Sequence, residues 1–267
     1  MSISVSQRSN ITRIARAGLI AKGIVYVLLG MLAFMAAFEI GGQTTGGADR
    51  AGVFGMLKDM PAGTTLLALV AIGLVCYAAW RGIQAFGPGH RGGEPKAGKR
   101  ALYFFSGLAY LSVALTAGRL ALYNEQDNGG SNQQLASRLL EQSYGQWLLG
   151  IAALIMAAVG IYQLYYGLSE KYRKHVQGLS LSTPASSLLL RSGKIGYVAR
   201  GVVWLVIAWL LLKAALSANA AKAGDTAQAF QFVESSTAGS LLLGALGVGL
   251  AAYGVFNFIR ARYENFY

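Results

Sequence analysis

Long apolar stretches, almost free of charge, alternate along this chain with short connections rich in Arg, Lys, Gly and other polar residues. The stretches fall at about 17–38, 64–86, 101–122, 146–168, 195–217 and 239–260. Each is long enough to carry a helix across a hydrocarbon layer about 30 Å thick, which takes roughly 20 residues. Six such runs in one chain predict a multi-pass helical membrane protein rather than buried helices of a soluble core. The first run begins near Ala17, is too long for the apolar region of a secretory signal, and is followed by no small-residue cleavage pattern. It is expected to be a retained span.

The connections alternate in charge. One side carries Arg8, Arg13, Arg16 and Lys22, then Arg91, Lys96, Lys99 and Arg100, then Lys171, Arg173, Lys174, Arg191 and Lys194, and finally Arg260 and Arg262. Arg81 and Arg200 extend that set at the expected helix ends. The other side carries Arg50, Lys58, Arg119, Arg138, Lys213 and Lys222 among most of the acidic residues. Short loops rich in Lys and Arg stay in the cytoplasm, so both termini are expected there, in a bacterial inner membrane. The net charge of +12 then follows from topology and attraction to anionic headgroups, and calls for no nucleic acid.

The pattern also repeats internally. Gly18-Leu-Ile-Ala-Lys22-Gly23-Ile-Val-Tyr26 aligns with Gly196-Tyr-Val-Ala-Arg200-Gly201-Val-Val-Trp204, and more weakly with Phe105-Ser106-Gly107-Leu-Ala-Tyr110. The second helices align on Gly73-x3-Tyr77-x2-Trp80, Ala158-x3-Tyr162-x2-Tyr165 and Gly249-x3-Tyr253-x2-Phe256. Between the paired helices, Asp49, Ser131 and Asp225 each precede a short stretch with apolar residues three to four apart: Val53 and Leu57, Leu135 and Leu139, Ala229 and Val233. Asp and Ser can accept from free helix-start amides, and Gln134 and Gln228 sit where a capping box places them. Gly63, Gly145 and Gly239 mark the return into the membrane.

The expected fold is therefore all-α: six transmembrane helices as three parallel two-helix repeats, with approximate threefold symmetry and short external amphipathic helices. The repeats run over 14–86, 99–170 and 192–262 within a single membrane domain, 1–267. The helix-start motif Ala-Arg/Lys-Gly-Val-Val-Tyr/Trp, recurring in helix pairs, resembles the bacterial domain of unknown function 1206 family, and the resemblance covers nearly the whole chain after residue 10. That resemblance implies architecture and supplies no activity, substrate or catalytic residue. The middle repeat departs from the motif, with Ser106 where the others have Lys22 and Arg200.

Candidate functional groups are few. Lys22, Arg200 and Arg81 form a candidate basic vestibule for anionic headgroups or a small anion, although stems this long can simply snorkel to the interface. Tyr77, Tyr162 and Tyr253 recur deep in the second helices, where a phenol must find a partner; they are a candidate polar ring on the axis or an inter-repeat contact. Tyr26 and Tyr110 read as interfacial belt residues, and Arg119 and Lys213 as anchors. Gly23, Gly107 and Gly201 are expected to let helices pack closely, and the glycine series of the last helix is a packing or oligomer face. Cys76, the only cysteine, is expected to be an apolar filler. His90 and His175 lie in separate loops, and no metal, nucleophile-elbow or phosphate-loop motif occurs, so neither cofactor nor metal is expected. Pro61, Pro88, Pro95 and Pro184 all lie outside the spans, which argues against discontinuous transporter helices.

The sequence thus points first to a non-enzymatic membrane protein acting as a scaffold or as a lipid- or partner-binding module. Homo-oligomers or a membrane protein partner fit that reading. A small channel or facilitator along the threefold axis comes second, and a membrane enzyme third.

Overall fold

The computed structural model describes residues 5–87, 97–123, 131–176 and 184–264. Among them lie nine α-helices and no strand. The long helices are α1 (Val5–Ala37), α3 (Gly63–Phe86), α4 (Ala97–Tyr123), α6 (Gly145–Leu168), α7 (Pro184–Leu216) and α9 (Gly239–Tyr263). The short ones are α2 (Arg50–Lys58), α5 (Ser131–Leu140) and α8 (Thr226–Glu234). All six long helices have the length and apolar composition to cross a membrane, so the chain has the architecture of a multi-pass membrane protein. The helices α1 and α7 begin well before the apolar runs at 17 and 195, because nothing in Val5–Arg16 or Pro184–Lys194 breaks a helix. Pro184 is the first residue of α7, where its missing N–H costs nothing.

The short helices close one end of the bundle. Asp49 caps α2, its carboxylate accepting from Gly52 N at 2.8 Å. Asp225 caps α8 in a full capping box: its carboxylate accepts from Ala227 N at 2.8 Å, while Gln228 Oε1 accepts from Asp225 N at 2.9 Å. Val53, Phe54 and Leu57 of α2 and Ala229 and Phe230 of α8 are buried. In α5 the inward residue is Ala136 rather than Leu135, which instead borders the cavity described below. The side chain of Ser131 lies outside the described residues. Gly63, Gly145 and Gly239 start the returning helices α3, α6 and α9, and a Cβ at any of them would strike the backbone of the preceding short helix. The caps also touch one another. Thr45 Oγ1 donates to Glu234 Oε2 at 2.7 Å, and Gln133 Nε2 donates to the Ala221 carbonyl at 3.4 Å.

The helix α1 packs on both α3 and α9, α3 on α4, α9 on α7, and α7 on α6. The long helices therefore follow one another in the order α4–α3–α1–α9–α7–α6, and α4 and α6 barely touch. This departs from three equivalent helix pairs, and the reason is steric. In the first repeat a Cβ on Gly18 would lie 2.6 Å from Tyr77 Cα; in the third, a Cβ on Gly196 would lie 2.6 Å from Tyr253 Cα. Gly73 against Ala21 and Gly249 against Ala199 are as close. The aligned residues of the middle repeat are Leu102 and Phe105 on α4 and Ala158 on α6. Larger side chains at close-approach positions prevent the same contact, and Leu102 and Phe105 are exposed.

Candidate functional site

The close approach of α1 to α3 brings Lys22 against Tyr77. Because α1 is helical from Val5, Lys22 lies in mid-helix rather than one turn inside its start. It is 3% exposed, so it does not snorkel to an interface. Its Nζ donates to Tyr77 Oη at 3.1 Å and lies 4.7, 4.9 and 5.3 Å from the ring centres of Tyr77, Tyr110 and Tyr253. Ring faces attract a cation held at this range, most strongly where water is excluded.

Arg81, one turn beyond Tyr77 on α3, uses the same phenol. Its Nε and Nη2 donate to Tyr77 Oη at 3.0 and 2.7 Å, and Nη1 donates to Gln84 Oε1 at 2.9 Å. The guanidinium also lies 5.1 Å from the Trp80 ring and 5.3 Å from that of Tyr103. Arg200, the counterpart of Lys22, lies 4.3 Å from the Tyr253 ring and 5.1 Å from that of Tyr26. These two rings meet edge to face at 4.8 Å. The Nε of Arg200 is buried without a hydrogen-bond partner. Among the described residues Lys22, Arg81 and Arg200 make no ion pair, in contrast to Arg260, whose Nη2 lies 2.7 Å from Glu264 Oε2. Among the described residues the layer is therefore built of cations and phenols without a carboxylate partner.

A cavity of about 520 Å³ adjoins this layer. Tyr26 and Arg200 border it at mid-bundle, and Arg50, Gln134, Arg138, Asp225 and Thr226 border it at the capped end. Apolar walls come from Leu29, Val203, Trp204, Ile207 and Leu250. Its remaining lining is Ala109 and Ser112 of α4 with Leu135 and Met156, so it reaches the place where α4 and α6 fail to meet. Three guanidinium groups thus border it against one carboxylate, and that carboxylate already caps α8. Nearby, burial pushes the Asp49 carboxyl up from its usual value, and the neighbouring Asp225 adds to the shift. On the opposite end of the bundle, Tyr172 donates to the Leu190 carbonyl at 2.6 Å. Burial pushes its phenol up to about 12, with Glu170 contributing.

The structure brings Lys22, Arg81 and Arg200 into one tyrosine-lined layer, together with Tyr77 and Tyr253, which are fully buried. Tyr162 does not join them. It is 57% exposed, because its helix does not approach α4, and Tyr26 and Tyr110 occupy the layer instead. Gly23, Gly107 and Gly201 lie where successive repeats meet: Gly23 against α9, Gly107 against α3 and Gly201 against α6. Lys213 sits 5.4 Å from the Trp209 ring, and Arg119 is exposed. His90 and the side chain of His175 lie outside the described residues. Among the described residues no three His, Cys, Asp or Glu side chains gather to hold a metal ion. Sequence reasoning missed Tyr110 as a deep residue and missed Arg50 and Arg138 as cavity residues.

No solved structure matches this chain. An uncharacterized protein of Bacillus subtilis (strain 168), named YxxB, is 29% identical over 257 residues, covering 96% of this chain and 92% of the relative. The family described as Domain of Unknown Function (DUF1206) matches three times, at residues 17–87, 101–170 and 195–264. Those three segments are the pairs α1–α3, α4–α6 and α7–α9, and with most of its length matched the chain belongs to the DUF1206 family.

Proposed function

We propose that this protein is a non-enzymatic binding module of the bacterial inner membrane, with cytoplasmic termini and a cavity that takes an anionic ligand. The observation that carries this reading is the cavity itself. Its volume falls within the range of ordinary ligand sites, about 300–1,000 Å³, and Arg50, Arg138 and Arg200 border it. A guanidinium cannot give up its proton to act as a base, but it is suited to phosphate or carboxylate. Arg200 has a buried Nε still without a partner, and an uncompensated cation in a membrane interior is costly; an anion relieves both. The unequal charge of the two ends supports the orientation. The recurrence of the same inter-repeat packing, α3 on α4, α6 on α7 and α9 on α1, supports an approximate threefold arrangement about the membrane normal, broken within the middle pair.

A binding pocket fits better than a conduit, because Lys22, Tyr77 and Tyr253 are packed shut beneath Tyr26 and Arg200. The reading is tested by purifying the full chain in a neutral detergent and measuring the phosphorus that remains bound. Retained phosphorus that falls in Arg200→Gln, while Arg119→Gln keeps it, is the expected result. Equal phosphorus in both variants would remove the support for an anion site.

A further inference from the structure

The cavity is bordered where the ring of helices is interrupted, and that interruption has a definite origin. Gly18, Ala21 and Gly73 close the first repeat and Gly196, Ala199 and Gly249 close the third, but Leu102, Phe105 and Ala158 stand in those places in the second. We propose that the gap between α4 and α6 is a lateral portal for an anionic phospholipid. The lipid phosphate is held by Arg200 with Arg50 and Arg138, and its acyl chains leave the cavity between the two helices. This rests on the anion-binding reading above and adds the ligand class and the route.

Three observations converge on a lipid rather than a water-soluble anion. Ala109 and Ser112 border the cavity and are nonetheless exposed, on a face of α4 that continues through the exposed Leu108, Leu111 and Leu115. In a bilayer that face meets acyl chains. The capped end is crossed by α5, whose Gln134, Leu135 and Arg138 border the cavity while remaining exposed and whose Gln133 is tied to the Ala221 carbonyl, so the arginines at that end sit toward the aqueous side, where a lipid headgroup lies. The lining offers a surface to both parts of an amphiphile, with Leu29, Met156, Val203, Ile207 and Leu250 as apolar wall beside the arginines. A guanidinium beside an open lateral gap would face hydrocarbon, and a lipid phosphate supplies the counter-charge that such a residue needs in a membrane.

The test uses the full-length protein in neutral detergent. Native mass spectrometry follows binding of dioleoylphosphatidylglycerol, and calorimetry follows binding of inorganic phosphate. Arg200→Gln should weaken lipid binding about tenfold or more, the scale of one lost charged hydrogen bond. Arg138→Gln, on an exposed residue of α5, should weaken it about fewfold and serves if the deeper variant folds poorly. Ser112→Phe narrows the gap from an exposed position and should lower lipid binding severalfold more than it lowers inorganic phosphate binding. Lipid binding that depends on Arg200 and Arg138 but ignores Ser112→Phe would overturn the portal and keep the anion site. Lipid binding indifferent to both arginine variants would overturn the portal and the binding reading together.

Discussion

Replacing Tyr77 by phenylalanine removes one oxygen atom and takes the shared acceptor from two basic side chains. Tyr77 Oη accepts from Lys22 Nζ at 3.1 Å and from Arg81 at 3.0 and 2.7 Å. Arg81 keeps Gln84 at 2.9 Å, and the ring that remains still faces Lys22 at 4.7 Å. The loss is therefore the hydrogen bonds alone. A hydrogen bond to a charged group contributes about 1.5–3 kcal/mol, whereas polar contacts between membrane helices average about 0.6 kcal/mol. With Lys22 and Arg81 both affected, Tyr77→Phe should cost about 3 kcal/mol or more. Lys22→Met keeps an apolar stem of similar length and removes one of the donors. In that background the cost of Tyr77→Phe should fall by about 1.5 kcal/mol or more, a coupling that a double-mutant cycle reads directly. The assay is reversible unfolding in mixed micelles followed by far-UV circular dichroism, with the exposed Tyr162→Phe as reference. A Tyr77→Phe cost no larger than that of Tyr162→Phe, or strict additivity with Lys22→Met, would refute a phenol shared by two cations.

Gly196→Leu imports the residue type of the middle repeat at a site where even a Cβ would lie 2.6 Å from Tyr253 Cα. It should destabilise by at least about 1–3 kcal/mol, whereas Gly118→Ala, with nothing within 4 Å, should be neutral or stabilising by about 0.5–1 kcal/mol; the same unfolding assay separates them. Asp49 supplies a pH test. Its carboxyl is raised in the fold by burial, so the folded state holds the proton more tightly than the unfolded state. Stability should then decline as pH rises from near the usual carboxylate value through the raised one. Asp49→Asn keeps a capping side chain and should abolish that part of the pH dependence, a result that a series of unfolding curves across mildly acidic pH can check.

Much of the architecture was legible because membrane helices announce themselves through length and missing charge. The short helices were legible for a different reason: Asp49, Asp225 and Gln228 satisfy helix-start amides by chemistry that is local in sequence. Depth within the bundle was legible for Tyr77 and Tyr253 but not for the charged groups. Lys22 looked interfacial because its apolar run begins near Ala17, yet the helix itself begins at Val5, and only tertiary contacts surround the ammonium with aromatic rings. Tyr110 looked like a belt residue, and only the packing of α4 on α3 brings its ring 4.5 Å from that of Tyr77. Arg50 and Arg138 read as ordinary residues of polar connections, since nothing in their spacing reveals that separate short helices turn them toward one cavity.

The middle repeat carries the remaining lesson. Its weaker similarity was visible as Ser106 in place of Lys22 and Arg200, which drew attention to a missing charge. The more consequential departures lie beside it, at Leu102 and Phe105, where the other repeats have Gly and Ala. A small residue at such a position matters only if another backbone comes within contact distance, and sequence alone does not say which glycines are pressed. Gly18 and Gly196 are pressed against tyrosine backbones, while Gly118 meets nothing. The side chains that look like decay of a repeat are thus the ones that hold α4 away from α6. Charge and space change together there. The repeat that lacks the buried cation also lacks the close helix contact, so Arg200 of the neighbouring repeat borders a cavity while Lys22 is sealed among tyrosines. Leu102, Phe105 and Ala158 thus stand along the opening, at the places where Gly, Ala and Gly close the other two pairs.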